Sequence, residues 1–188
     1  MKFYKINRGA NTTKFCEIHF FNESLWKNEE LYFNKYEEKH EIPIKYELNN
    51  QYDPKSFPLS DAFLVSERFF SVIKKLNKDF EYFESVLYYK KNEKMWGNYY
   101  TVIFPEYELF NWNKSDYSLF PSNNMSSKNI SFLRKIVLDN KKIMNRETAN
   151  QFFVLSESSC NLLCTETAKQ AIEDAGLFDI IFEEIPVE

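Results

Sequence analysis

The sequence predicts an α+β protein, a mixed and largely antiparallel sheet with a few short helices. Three observations carry this. The stretch FLVSERFFSVIKKLNKDFEYF, Phe63 to Phe83, reads strand, N-cap, helix, turn, strand. A second stretch, LLCTETAKQAIEDAGLFDIIF, Leu162 to Phe182, repeats that order near the C-terminus. Around both lie short runs rich in Phe and Tyr, bounded by polar turns, the composition that strands favour. With 19 Phe and 12 Tyr against 3 Gly, the core is expected to be built from rings.

From the N-terminus, Met1 to Ile6 sets Phe3 and Tyr4 among lysines and reads as a strand, followed by a turn over Gly9 to Thr13. Phe15 to Phe21 alternates, with Cys16, Ile18 and Phe20 expected inward. Asn22 to Lys27 reads as loop, and Glu29 to Lys39 as a charged, exposed segment. Ile42 to Leu48 is expected to be an edge strand, because Pro43 cannot donate to a ladder. Asn49 to Pro58 is a polar loop.

In the first unit, Phe63 to Val65 is the apolar run of a buried strand. Ser66 offers an N-cap oxygen, and Glu67 suits the positive end of a helix dipole. Phe69, Val72, Ile73 and Leu76 fall on one helical face. Lys74, Lys75 and Lys78 cluster at the C-terminal end, and Asn77 ends the helix. Phe80 to Tyr89 follows as a strand, then a lysine-rich turn over Lys90 to Gly97. Tyr99 to Phe104 is a strand broken by Pro105, and Tyr107 to Trp112 another. Asn113 to Asn129 reads as loop, Ile130 to Leu138 as strand or short helix, Asp139 to Lys142 as turn. Gln151 to Leu155 is a strand and Ser156 to Asn161 a turn.

The second unit uses the same grammar. Thr165 caps, Glu166 follows, and Ala168, Ala171, Ile172 and Ala175 form the apolar face. Gly176 stops the helix, and Phe178 to Glu183 alternates as a closing strand. Leu64, Ser66, Glu67 and Ile73 match Leu163, Thr165, Glu166 and Ile172. Shared grammar produces such a match as readily as duplication does, and two copies do not make a solenoid.

The 188 residues are expected to form one domain, with a strand-rich part over 1–58 and a core over 59–188; no linker divides them. A net charge of −4 argues against direct nucleic-acid binding, since phosphate contacts need a basic surface. No apolar run approaches a membrane span and the N-terminus lacks a hydrophobic signal core, so a cytoplasmic protein is expected, without membrane contact. Three unmatched cysteines, Cys16, Cys160 and Cys164, fit a reducing compartment.

No catalytic constellation stands out, and no catalytic residue, cofactor or metal is expected. His19 and His40 are the only histidines; Cys16 and His19 differ in strand parity and point to opposite faces. Cys160 and Cys164 lack a second pair for zinc and read as small packing residues. The acid pairs Glu29–Glu30, Glu37–Glu38, Glu81–Glu84 and Glu183–Glu184 read as solvated faces. Phosphate-cradling loops and nucleophile elbows are missing. Trp96, Trp112 and Tyr117 lie in or beside polar stretches, where aromatic residues serve either interfaces or the core beneath.

Three segments give the chain a resemblance to a known family. They are LSDAFLVSERFFSVIKKL (Leu59 to Leu76), LFNWNKSDY (Leu109 to Tyr117) followed by FLRKIVLDNKKI (Phe132 to Ile143), and FFVLSESSCNLLCTETAKQAIEDAGLFDIIF (Phe152 to Phe182). In that order they resemble immunity protein family eleven of bacterial polymorphic-toxin systems, formerly a domain of unknown function. Asn111 stands where the family pattern has aspartate, and Phe178–Asp179 where it has Thr-Gly. The resemblance implies an intracellular protein, not an enzyme, that binds a cognate toxin and neutralises it stoichiometrically. Acidic faces would suit a basic, nuclease-like toxin through steered association. The expected contacts are Trp96, Trp112, Asp116 and Tyr117. The alternatives are a small hydrolase using Cys164 or a surface carboxylate pair, and a generic protein-interaction domain.

Overall fold

The computed structural model describes residues 1–8, 18–20, 43–48, 56, 63–89, 94–119, 130–144 and 150–188. Expectations placed on Cys16, His40, the charged Glu29–Lys39 segment and the turns at Gly9–Thr13 and Lys90–Glu93 lie outside these residues.

Two five-stranded sheets share a core with two helices. The first sheet contains β1 (Phe3–Arg8), β7 (Glu106–Tyr107), β10 (Phe152–Leu155), β11 (Ser158–Thr165) and β12 (Ile180–Ile185), in the order β12-β1-β11-β10-β7. The second contains β2 (Ile18–Phe20), β3 (Ile44–Leu48), β4 (Leu64–Ser66), β5 (Glu81–Tyr89) and β6 (Lys94–Ile103), in the order β2-β3-β5-β6-β4. A separate hairpin joins β8 (Asp116–Leu119) to β9 (Ile130–Lys135). The helices are α1 (Glu67–Leu76), α2 (Asn140–Met144) and α3 (Glu166–Asp174). Among the described strands only β3–β5 and β7–β10 pair parallel, so the α+β class with a mixed, mostly antiparallel arrangement is as predicted. None of the described helices is long and apolar enough to cross a membrane.

Both strand–helix–strand units form as their residues dictate. Ser66 Oγ accepts the Phe69 N–H and Thr165 Oγ1 the Ala168 N–H, each at 3.4 Å. These bonds occupy orphan donors of the first helical turn. At the end of α3, Gly176 takes φ +66°, its N–H bonding Glu173 O at 2.8 Å while Leu177 N–H reaches Ile172 O at 3.3 Å. Those two bonds are a Schellman stop, which needs a left-handed residue. A Cβ at Gly176 would crowd the flexible end of Arg68, at 3.3 Å, and touch the Phe178 ring at an ordinary 3.6 Å, so the strain is in the backbone. Gly176→Ala is expected to lose about 1–2 kcal/mol, measured as a lower urea midpoint with unchanged slope.

The apolar face of α1, Phe69, Val72 and Ile73, packs with Ala168 and Ile172 of α3. Tyr4, Phe152, Val154, Leu162 and Cys164 of the first sheet join this core, with Val65 and Val102 of the second. Strand β10 is buried on both sides: Phe152 and Val154 enter this core, while Phe153 and Leu155 enter a second one beneath the β8–β9 hairpin. That explains its continuous apolar run. A third core lies on the far face of the second sheet, around Tyr46, Leu64, Leu87 and Tyr99.

Two buried asparagines tie α1 to the first sheet. Asn77 Oδ1 accepts the N–H groups of Gln151 and Phe152, both at 2.9 Å, and its Nδ2 donates to Phe152 O at 2.8 Å. Asn150 Oδ1 in turn accepts the N–H groups of Lys78 and Asp79, both at 2.9 Å, while its Nδ2 donates to Asp79 and to Tyr107 Oη.

Several expectations need correction. Strand β3 is internal, between β2 and β5; Pro43 precedes the first paired residue, so its missing N–H costs no ladder bond. Strand β6 begins at Lys94, within the expected turn. The Tyr107–Trp112 strand reduces to Glu106–Tyr107 plus a single bridge from Phe110 to Leu138. The expected loop after Asn113 contains β8, and the turn at Asp139–Lys142 opens α2. Strand β11 starts at Ser158, so the expected turn shrinks to the tight connection after Leu155. Phe178 precedes β12 and is 87% exposed. Ile130–Leu138 takes the strand alternative over Ile130–Lys135.

Candidate functional site

Three of the four expected contact residues come together at the base of the β8–β9 hairpin. Asn111 shapes the approach: its backbone O accepts the Lys114 and Ser115 N–H groups, and its Oδ1 accepts the Asn113 N–H at 3.2 Å. Its Nδ2 also donates to Glu188 O at 3.3 Å, a bond that an aspartate could not make. Ser115 Oγ both donates to Val137 O and accepts the Val137 N–H, locking the turn to the segment that follows β9.

Phe110, Trp112 and Tyr117 then meet edge to face, with ring centres 4.9, 5.7 and 5.2 Å apart. Phe110 is buried, whereas Trp112 and Tyr117 are half-buried and pack onto the core beneath. Asp116 receives a two-pronged bond from Arg134, 2.8 Å from Nε and 2.7 Å from Nη2. That guanidinium holds the Asp116 carboxyl below the usual carboxylate range.

The strands sort their side chains by face. Tyr117, Ile130 and Leu133 turn toward the core. Phe132, 59% exposed, and Arg134 turn outward, with the guanidinium carbon 5.7 Å from the Phe132 ring centre. Leu119 is also exposed. The outward face is therefore an aromatic ring and a fixed Arg–Asp pair, while Leu119, paired with Ile130, lies on the other face. Sequence reasoning missed Phe132 and Arg134. Their signal was the spacing of Phe132 and Arg134 on either side of Leu133, which the helix alternative obscured.

Trp96 stands elsewhere, on β6 of the second sheet, opposite Leu87. It is half-buried against the Tyr46–Leu87–Tyr99 core, with Lys94 Nζ 4.4 Å from its ring centre.

The residues of the hydrolase alternative are dispersed. Cys164 is fully buried opposite Tyr4 and Phe152, and burial pushes its thiol far up. Cys160 is exposed, not packed as expected, because β11 extends beyond the core at that end. Glu183 and Glu184 alternate on β12, bonding Asn7 on one face and Lys2 on the other. Glu81 and Glu84 likewise differ in strand parity. Among the described residues no cluster of three His, Cys, Asp or Glu is placed to hold a metal.

One perturbed group staples β1 to α3. Tyr4 Oη donates to the Glu166 carboxylate, and that bond together with burial pushes the phenol up to about 12. A folded value above the unfolded one, roughly 10, means stability present below the unfolded value and lost as pH rises toward the folded one. Ultraviolet absorbance titration of Tyr4→Phe is expected to lose one late-titrating phenol relative to the unsubstituted protein.

No protein-family model matches the chain, and no curated protein is similar to it.

Proposed function

We propose that the chain is an immunity protein of the polymorphic-toxin kind, acting in the cytoplasm by stoichiometric, non-catalytic binding of a cognate toxin. The carrying observation is the outward face of the β8–β9 hairpin, where Phe132 and the Arg134–Asp116 pair stand on a backbone braced by Phe110, Trp112 and Tyr117. Exposed aromatic residues and arginine on a rigid support are the composition of binding hot spots. Because Arg134 is already oriented by Asp116, little side-chain freedom is lost when a partner meets it. The burial of Cys164 weighs against the hydrolase alternative.

The test is titration of the purified chain against the toxin encoded beside its gene, by calorimetry and by protection of toxin-expressing cells. A one-to-one complex is expected, weakened at least about tenfold in Phe132→Ala/Arg134→Ala. Absence of both complex and protection would sink the reading.

A further inference from the structure

The two strand–helix–strand units are equivalent in ladder register as well as in capping. In the second unit Tyr4 pairs with Cys164, two residues before Glu166, the first residue of α3. On its other side Tyr4 pairs with Glu184, and Ile6, next on the same face, pairs with Phe182. In the first unit Tyr100 pairs with Val65, two residues before Glu67, the first residue of α1. Tyr100 also pairs with Glu84, and Val102 pairs with Tyr82. Directly opposed residues share a face of the sheet. Tyr100, Tyr82, Glu84 and Glu67 therefore stand where Tyr4, Phe182, Glu184 and Glu166 stand in the other unit. The rings repeat as well: Tyr4 and Phe182 meet at 82° with centres 6.2 Å apart, Tyr82 and Tyr100 at 71° with centres 6.1 Å apart.

One position differs. In the second unit Lys169, three residues after Glu166, fills the corner between the rings, its Nζ 4.5 Å from the Tyr4 centre and 5.9 Å from that of Phe182. Ring faces and a carboxylate one helical turn away hold the ammonium there. Three residues after Glu67 stands Phe70 instead. Its buried ring lies flat on Tyr100, centres 4.0 Å apart, and 4.7 Å from Tyr82. A third ring thus replaces the ammonium, and the acceptors remain. Among the described residues no cation pairs with Glu67 or Glu84, and none lies over Tyr82 or Tyr100. Both carboxylates are exposed, and Tyr82 is 45% exposed. Burial and the charges of Glu67 and Glu84 push the Tyr100 phenol up.

We infer that the Tyr82–Tyr100 corner binds an organic cation from outside the chain, an ammonium or guanidinium group held between the ring faces and the Glu67 and Glu84 carboxylates. The second unit shows that this arrangement of positions accepts an ammonium. The first keeps the rings and the acids, and gives up the lysine. A guanidinium suits the corner for the same reasons, being flat, always charged and weakly hydrated. The rings hold one another in place, so little freedom is lost when a cation meets them. A cation here needs no toxin, because the corner belongs to the second sheet and the β8–β9 hairpin to neither five-stranded sheet.

The experiment is two-dimensional NMR of the full chain, titrated with tetramethylammonium and, separately, with tert-butanol as an uncharged probe of similar size. Saturable shifts of the Tyr82 and Tyr100 ring signals with the ammonium alone are the expected result. Binding is expected to weaken about two- to fivefold in Tyr82→Leu and in Glu84→Gln, both exposed positions. Phe70→Lys copies the arrangement around Lys169 and is expected to abolish the response by filling the corner from within; should it not fold, the two exposed substitutions carry the test. No saturable shift, equal shifts with tert-butanol, or a response unchanged in both exposed variants overturns the inference and leaves the rings as an apolar cap on α1. A dimer in sedimentation that Glu84→Gln dissociates overturns it in favour of a cation from a second copy.

Discussion

Asn77→Ala is expected to lower unfolding stability by about 3 kcal/mol, a large loss for one surface-sized side chain. The amide is 6% exposed and makes three bonds to the backbone at the start of β10. Alanine cannot replace any of them, and the Phe152 N–H and C=O would be left in a buried setting without their partner. The penalty for such stranded groups exceeds the gain from forming the bonds. Asn77→Asp separates the parts: a carboxylate still accepts from Gln151 and Phe152 but opposes the Phe152 carbonyl where the amide had donated. It is expected to fall between wild type and alanine at neutral pH. Urea denaturation of the three proteins measures the series, and equal stability of wild type and Asn77→Ala would show that the α1–β10 tie contributes nothing.

Phe152→Ala is expected to lose about 3–5 kcal/mol. The ring is fully buried and lies edge-on to Phe69 of α1, centres 5.8 Å apart, and 6.4 Å from Phe104 beyond β6. Removing it opens a cavity where helix and both sheets meet, and neighbouring rings are too rigid to collapse into it. Because Asn77 holds the backbone of this same residue, the double variant should lose less than the two single losses combined. Thermal unfolding of all four proteins tests that coupling.

The parts of the fold that were legible in the sequence are those fixed by neighbours a few residues apart. Ser66 and Thr165 announce their helices because an N-cap bonds within three residues, and Gly176 announces a stop because a left-handed backbone excludes most alternatives. Strand partnership was not legible. Pro43 suggested an edge, yet β3 lies inside its sheet, since the proline falls one residue before the ladder. The Asn77–Asn150 tie joins residues more than seventy positions apart, and nothing local marks either asparagine as buried. At the candidate site, Trp112, Asp116 and Tyr117 were visible as residue types. The partner that orients Asp116, Arg134, lies beyond an intervening polar stretch. Trp96 was grouped with them by composition alone, and the second sheet carries it instead.

The placement of β1 bears on how the chain is made. This strand is made before every other described element, yet it ends up between β11 and β12, which are made after all the other described strands. The described strands of the second sheet all come from Ile18 to Ile103 and are made before β10. The first sheet cannot be complete by then, and until β10 and α3 have been made the apolar face of α1 has neither of them to cover it. For that interval a nascent chain exposes Phe69, Val72 and Ile73 to its neighbours on the polysome, where unfinished folding intermediates are prone to stick. Slow codons placed between those for α1 and α3 would lengthen that exposure, and a chaperone engaged after Leu76 emerges would shorten it.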